Sequence, residues 1–398
     1  MKTNFLLKDK LKILHYIPVY APAWKYGGPI LSTSQLCEEL VKLGHDVEVF
    51  TTSCGQDESV IHPNSPIKRN GVKVTYFYYQ YFFGIHSKDL RKTIDYRIHE
   101  FDLVHISGIW QPSSCYIASS SIKNNIPYVI STRGALGPYS WRRKSAKKIF
   151  YYLLRERINI KNSSMIHYTT SQEKKECVWL NLPDKSSVIP NGLDLNFWKY
   201  DKTKGISWRD SINVNKDEFV FLNVGRLHHK KGLDILPKCF SKLKDKPWKL
   251  VFIGNEEDKT KSNLIKKFKS FNILKNIIFL PSITPSELIG AYSGANLFLL
   301  PSRHENFGNV VVESMACGCP VIISNKVGLH KELENIKFTW VMDRNPNSWA
   351  NQLNQIMVNE HPNELIRKSL TTFIEENYSI KNTSSKMETI YKDILSNA

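Results

Sequence analysis

The residues best suited to chemistry fall in one stretch, Leu300 to Pro320. An apolar run ends at Leu300, a polar loop carries Glu305 and Asn306, and a helix is expected to open near Gly308. The first N–H groups of a helix have no intrahelical acceptor, so the amides of Phe307, Gly308 and Asn309 are placed to hold phosphate oxygens. Glu305 lies in the loop and Glu313 two turns into the helix. They suit two parts of one ligand, one the hydroxyls of a sugar and the other those of a ribose. Paired glutamates at this spacing are common on solvated helices. The strand–loop–helix setting and the apolar run Val310–Val312 set this pair apart.

A second element, Val224 to Asp234, holds Gly225, Arg226, Lys231 and Gly232 directly after another strand candidate. Glycine permits close backbone approach, and Arg226 and Lys231 supply positive charge for a diphosphate. Taken alone, such a loop is more often simply solvated. His228 and His229 read as loop surface, since no carboxylate–histidine cluster gives them metal-ligand spacing. A third element is Tyr26-Gly27-Gly28-Pro29, with Pro29 suited to a first helical turn. Its glycines either let backbone approach a phosphate or sugar or merely make a tight turn. They do not form a GxGxxG fingerprint.

Alternating strand and helix patterns must position these loops. Strands are expected at Leu11–Ile17, Val47–Thr52, Val72–Tyr79, Leu103–Ser107, Tyr128–Thr132, Met165–Thr169 and Ser187–Pro190. After a break near Asn191-Gly192 they resume at Phe219–Val224, Lys249–Ile253, Ile277–Leu280, Leu297–Leu300, Val321–Ser324 and Thr339–Met342. Amphipathic stretches separate them, among them Leu31–Leu43, Ser87–His99 and Lys144–Ile160. Continuous apolar strands alternating with helices indicate parallel sheets covered on both faces. The expectation is an α/β chain of two Rossmann-like doubly wound domains, residues 1–192 and 193–378, facing a central cleft. A C-terminal helix, residues 379–398, would cross back onto the first domain.

The bulk properties agree with this division. A chain of 398 residues is too long for one ordinary core. No apolar run approaches the ~20 residues of a membrane span, and Met1–Lys12 lacks the pattern of a secretory signal. Seven cysteines scattered through apolar segments suit reduced thiols in a cytoplasm. The net charge of +18 is shared, with 26 basic against 16 acidic residues up to Asp194 and 29 against 21 beyond it. A shared excess favours anionic substrates or surfaces without naming one.

Together these elements resemble the retaining GT-B glycosyltransferases of family 4. The matching residues are Gly27-Gly28, the hinge Asn191-Gly192-Leu193-Asp194, Gly225-Arg226-Leu227 with Lys231-Gly232, and Glu305 followed by Glu313-Ser314-Met315-Ala316-Cys317-Gly318. The resemblance implies transfer of a sugar from a nucleotide-sugar donor with retention and no obligatory metal or other cofactor. It also implies that Arg226 and Lys231 neutralise the leaving diphosphate, with Glu305 on the sugar, Glu313 on the ribose and the amides of residues 307–309 on phosphate. In one respect the sequence departs: many relatives carry a histidine in the loop after the fifth strand, where Arg133-Gly134 stands here. A subset of bacterial surface-polysaccharide transferases shares that Arg-Gly, which points to a glycan or lipid-linked acceptor. His105 is a second candidate for the missing role, equally readable as a core histidine.

From Arg142 to Lys161 there are eight basic residues and one acid, interleaved with large apolar side chains. Arg142, Arg143, Lys147 and Lys148 are expected to hold this helix on an anionic membrane surface. A helix packed on its own sheet would need Ile149, Phe150, Leu153 and Leu154 facing inward, leaving an ordinary solvated basic face. Two other readings are an epimerase acting on the nucleotide sugar and a catalytically inactive partner subunit. The charge also suggests nucleic acid, but no zinc spacing, helix-turn-helix or RNP motif supports it.

Overall fold

A computed structural model describes residues 9–24, 27–81, 84–141, 145–243, 247–359 and 363–397. The chain forms two compact units, Met1–Gly192 with Ile380–Ala398, and Leu193–Ser379. In the first unit the sheet strands are β1 (Lys12–Tyr16), β2 (Asp46–Thr52), β3 (Pro66–Arg69) and β4 (Val72–Phe77). A small separate hairpin, β5 (Gln80–Tyr81) and β6 (Ile85–His86), follows. The sheet continues with β7 (Leu103–Ser107), β8 (Tyr128–Ser131), β9 (Met165–Tyr168) and β10 (Ser186–Val188). Its spatial order is β10-β9-β8-β7-β1-β2-β4-β3. All neighbours pair parallel except β3, which runs antiparallel to β4 at the edge. Only Lys12 of β1 and Asp46 of β2 escape burial in those two central strands, as expected of a sheet covered on both faces.

The second unit holds β11 (Phe219–Val224), β12 (Trp248–Ile253), β13 (Ile277–Leu280), β14 (Leu297–Leu300), β15 (Val321–Ser324) and β16 (Thr339–Met342). Their order is β13-β12-β11-β14-β15-β16, wholly parallel. The order reverses beside β11, so the loops after β11 and β14 leave from neighbouring strand ends. Those loops carry Lys231 and Glu305. In open parallel sheets, ligands gather beyond the strand C-termini at such a switch point.

The helix Glu364–Tyr378 ends in the second unit, and Ile380–Ser396 returns to the first. Met387 and Tyr391 of that last helix are buried among β1 and β2 side chains. A side chain on Gly192 would collide with Thr383 and with the backbone at Ile380, which explains the glycine of the Asn191-Gly192 hinge.

The stretch expected as one helix over Lys144–Ile160 is divided. Helical turns at Ser145–Tyr151 and Arg157–Asn162 flank a π-turn at Tyr152–Glu156. A π-turn inserts one residue per turn and rotates the faces beyond it. Tyr152, Glu156, Asn159 and Ile160 are therefore the buried ones. Ile149, Phe150, Leu153 and Leu154, expected on the inner face of a packed helix, point outward and are each about half exposed or more.

Candidate functional site

In the second unit, β14 delivers a loop whose backbone is held on both sides of Glu305. The Glu305 amide donates to Lys326 O, and the Gly328 amide donates to Glu305 O at 2.8 Å. The Glu305 carboxylate is thereby aimed at Lys231, with Nζ to Oε1 at 2.8 Å, and Ser302 Oγ donates to the same oxygen at 3.2 Å. Both charged side chains are 17% exposed. Burial pushes the Glu305 carboxyl upward, but the charges of Lys231 and Lys230 outweigh it and hold it below the usual carboxylate range. The Glu305 carboxyl is thus ionised at neutral pH.

Two glycines shape the surroundings of the pair. Gly225 has φ +138°, and a Cβ there would sit 3.3 Å from Lys231 Nζ, so the glycine lets the ammonium lie against the strand end. Gly308 has φ +98°, and a Cβ there would sit 3.1 Å from Val327 Cγ1. It opens the helix Asn309–Ala316 with no side-chain cap and no acid in the first turn. The amides of Phe307 and Gly308 have no acceptor among the described residues, which leaves them for an anion.

Glu313 differs from Glu305 in kind. It is 6% exposed, Tyr292 OH donates to its Oε2 at 3.0 Å, and burial pushes its pKa to about 7. A carboxyl that is half protonated near neutrality can both donate to and accept from a diol. Arg226 does not join this group. Its Nη1 is ion-paired with Glu257 at 2.7 Å and its side chain is 64% exposed.

In the first unit, Gly27 has φ +93° with open space where a Cβ would stand, so its conformation rather than crowding requires glycine. Tyr26 lies outside the described residues. The helix Gly28–Lys42 starts uncapped, with Pro29 in its first turn. Alongside it lies Arg133, itself at φ +52°. Its guanidinium donates to Ser32 Oγ and Thr33 Oγ1 at 3.2 Å, to Asn191 Oδ1 at 2.7 Å and to Ser107 Oγ at 3.5 Å. None of these is a carboxylate, and burial lowers its pKa from the ordinary arginine value.

His105 sits as the core histidine that the sequence also allowed. It is fully buried and both ring nitrogens are taken, Nδ1 by Tyr391 OH at 2.5 Å and Nε2 by Ser131 Oγ at 2.6 Å. The chain of bonds has a fixed direction. The Ile189 carbonyl can only accept, so His167 Nε2 donates to it at 2.8 Å and His167 Nδ1 accepts from Ser131. Ser131 must then accept from His105 Nε2–H, leaving His105 Nδ1 to accept from Tyr391. Burial holds His105 well below its usual range and His167 at about 3, so both are neutral, as this chain requires. The network fastens the returning C-terminal helix to the sheet.

Comparison with known proteins decides the family. The model for glycosyl transferases group 1 matches residues 206–378, and that for glycosyltransferase family 4 matches residues 26–197. The chain belongs to these glycosyltransferases. Glycosyltransferase MJ1607 of Methanocaldococcus jannaschii is 26% identical over 395 residues, covering 93% of this chain and 96% of that protein. The putative teichuronic acid biosynthesis glycosyltransferase TuaC of Bacillus subtilis is 27% identical, covering 81% and 85%. Among solved structures, Anabaena HepE in complex with UDP and glucose matches with TM-score 0.76 at 17% identity, covering 96% of this chain and all of that one. Sucrose-phosphate synthase of Thermosynechococcus elongatus matches with TM-score 0.75 at 19% identity, covering 97% and 100%. The fold is GT-B.

One residue of this glycosyltransferase escaped sequence reasoning. Glu173, buried, accepts from Thr132 Oγ1, the Gly134 amide, and the amide and hydroxyl of Thr169. It fixes the loop that carries Arg133. The signal was Thr170-x-x-Glu173, a helix-capping pattern whose carboxylate here bonds Thr169 just before the cap and also reaches the neighbouring loop.

Proposed function

We propose that this enzyme transfers a sugar from a nucleotide-sugar donor to a glycan or lipid-linked acceptor, with retention and without an obligatory metal, in surface-polysaccharide assembly. The observation that carries this reading is the ionised Lys231–Glu305 pair beside the free amides of Phe307 and Gly308. Unit 193–379 would bind the donor. The diphosphate gathers charge as the glycosidic bond loosens, and Lys231 with those amides offers preorganised positive potential for it. Arg226 would add its charge on leaving Glu257. Glu305 would hold the sugar and Glu313 the ribose. Unit 1–192 would bind the acceptor, whose hydroxyl meets the anomeric centre on the face the leaving group quits. The UDP and UDP-glucose complexes of HepE and the name of TuaC support the donor class and the pathway.

The test is transfer from UDP-sugars to a lipid-linked acceptor in the presence of EDTA, with the anomer of the product read by NMR. The expected product keeps the donor's configuration. An inverted product sinks retention, activity lost in EDTA and restored by Mg²⁺ or Mn²⁺ sinks metal independence, and an epimerised donor with no transfer sinks the assignment.

Among the described residues no helix is long and apolar enough to cross a membrane. We infer peripheral attachment, through a surface that differs from the basic one expected. Arg142 and Arg143, and the side chain of Lys147, lie outside the described residues. Lys148 is tied to Ser140 O at 2.5 Å and lies over the Trp110 ring. The outward Ile149, Phe150, Leu153, Leu154 and Ile158 are supplemented by Trp179, whose ring packs 5.2 Å from Trp141. Contiguous apolar surface of this kind marks an interaction site, and Arg155, Arg157 and Lys161 beside it suit anionic headgroups. Sedimentation with phosphatidylglycerol vesicles checks it. Phe150→Ser with Leu154→Ser should abolish pelleting, while Lys148→Gln changes it little. Unchanged pelleting of the double variant removes this surface from the account.

A further inference from the structure

We propose that His228, His229 and Asp258 form a binding site for one borderline divalent cation of the zinc, cobalt or nickel class. The sequence showed His228 and His229 with no carboxylate at ligand spacing, and the fold supplies it. Strands β11 and β12 are parallel neighbours, so the loops beyond Val224 and Ile253 run side by side. Backbone bonds zip them together, from the Leu227 amide to Asn255 O at 2.8 Å and from the Glu257 amide to Leu227 O at 3.1 Å. Asp258 is thereby set against both imidazoles.

One ligand atom of each residue lies within 4.8 Å of the other two. His229 Nδ1 is 2.7 Å and His228 Nε2 3.7 Å from Asp258 Oδ2, and the two rings are 4.0 Å apart between centroids. Zinc–nitrogen and zinc–carboxylate bonds are about 2.0–2.2 Å, so ligands around one ion stand closer than the widest of these separations. Side-chain rotation of His229, which is largely exposed, would close the gap. The carboxylate is already held as in built metal sites. The Lys230 amide donates to His228 Nδ1 at 3.2 Å, so Nε2 carries the ring proton toward Asp258, and an ion bound at Nε2 would move that proton to Nδ1 and displace this bond. Thr260 Oγ1 and the His229 amide hold the Asp258 carboxylate. Such supporting bonds fix carboxylate orientation around a metal.

Two imidazoles select against calcium and magnesium, which prefer all-oxygen sites. Two nitrogens and one oxygen leave at least one position for water. The ion would cross-link the loop of Arg226 and Lys231 to the loop of Glu257 and Asp258 without touching either cation. Its role is to hold the loop, and it stands apart from the proposed transfer chemistry.

The test is direct and needs no activity. Tag-free full-length protein is stripped with chelator and titrated with Co²⁺, followed by absorption, and with Zn²⁺, followed by calorimetry and melting temperature. One ion per chain is expected, with a nitrogen–oxygen cobalt spectrum and a rise in melting temperature that Mg²⁺ does not give. His228→Gln, His229→Gln and Asp258→Asn should each weaken binding tenfold or more, with metal-free melting temperatures near wild type. Absence of stoichiometric binding, or binding that the three variants leave unchanged, overturns the proposal. Should a variant fail to fold, the wild-type cobalt spectrum still decides, because thiolate charge-transfer bands would move the ion to the cysteines.

Discussion

Glu305→Gln is expected to cut turnover by roughly 10²–10³-fold, the scale of losing one group that stabilises a transition state, while affinity for free UDP stays level or rises. The substitution keeps shape and removes charge. Glu305 addresses the sugar in the proposed reading, so a nucleotide without a sugar does not sense it. Its loss also frees Lys231, now 2.8 Å away, for the diphosphate. If Glu305 were only a counter-ion that keeps Lys231 folded in place, the outcome would invert. UDP affinity and melting temperature would fall, and turnover with the true donor would stay near normal once the nucleotide is saturating. Single-turnover rates beside UDP titrations separate the two cases, and a near-normal rate removes Glu305 from the chemistry.

The sheets were legible because parallel strands buried on both faces read as continuous apolar runs, and the Phe219–Val224 and Leu297–Leu300 runs needed nothing more. The antiparallel β3 escaped because it has an edge strand's composition: four residues, a leading proline, and Lys68 and Arg69. Its signal was nonetheless present. Asn70-Gly71, both at positive φ, is the favoured two-residue hairpin turn. The outward apolar face near Phe150 was not legible, since regular helical periodicity cannot foresee a π-turn. At the site, the glycines and Lys231 stand in motifs that neighbour each other along the chain, so sequence reached them. The partner of Arg226 and the burial of His105 depend on residues 31 and 286 positions away, brought close only by the topology. Periodicity carries no information at that range.

Lys231→Ala should weaken nucleoside-diphosphate binding by about 2–5 kcal/mol, the usual cost of truncating one partner of a buried, hydrogen-bonded charge pair, and lower the transfer rate with it. Two effects combine. The diphosphate loses the ammonium that Gly225 admits to the strand end. The Glu305 carboxylate loses the larger of the two charges that offset its burial, so its pKa climbs. The rate should therefore fall further than affinity, and raising the pH should recover part of that extra loss by ionising Glu305 again. Lys231→Arg should rescue poorly, because a Cβ on residue 225 would already be only 3.2 Å from Lys231 Cε and a planar guanidinium is bulkier than the ammonium it replaces. The double variant Lys231→Ala, Glu305→Gln should be no less stable than Lys231→Ala alone, since it leaves no buried charge unpaired, and the two changes should not add. Calorimetry with UDP gives the decisive number. An affinity within twofold of wild type would place the diphosphate elsewhere and take the Lys231–Glu305 pair out of the donor site.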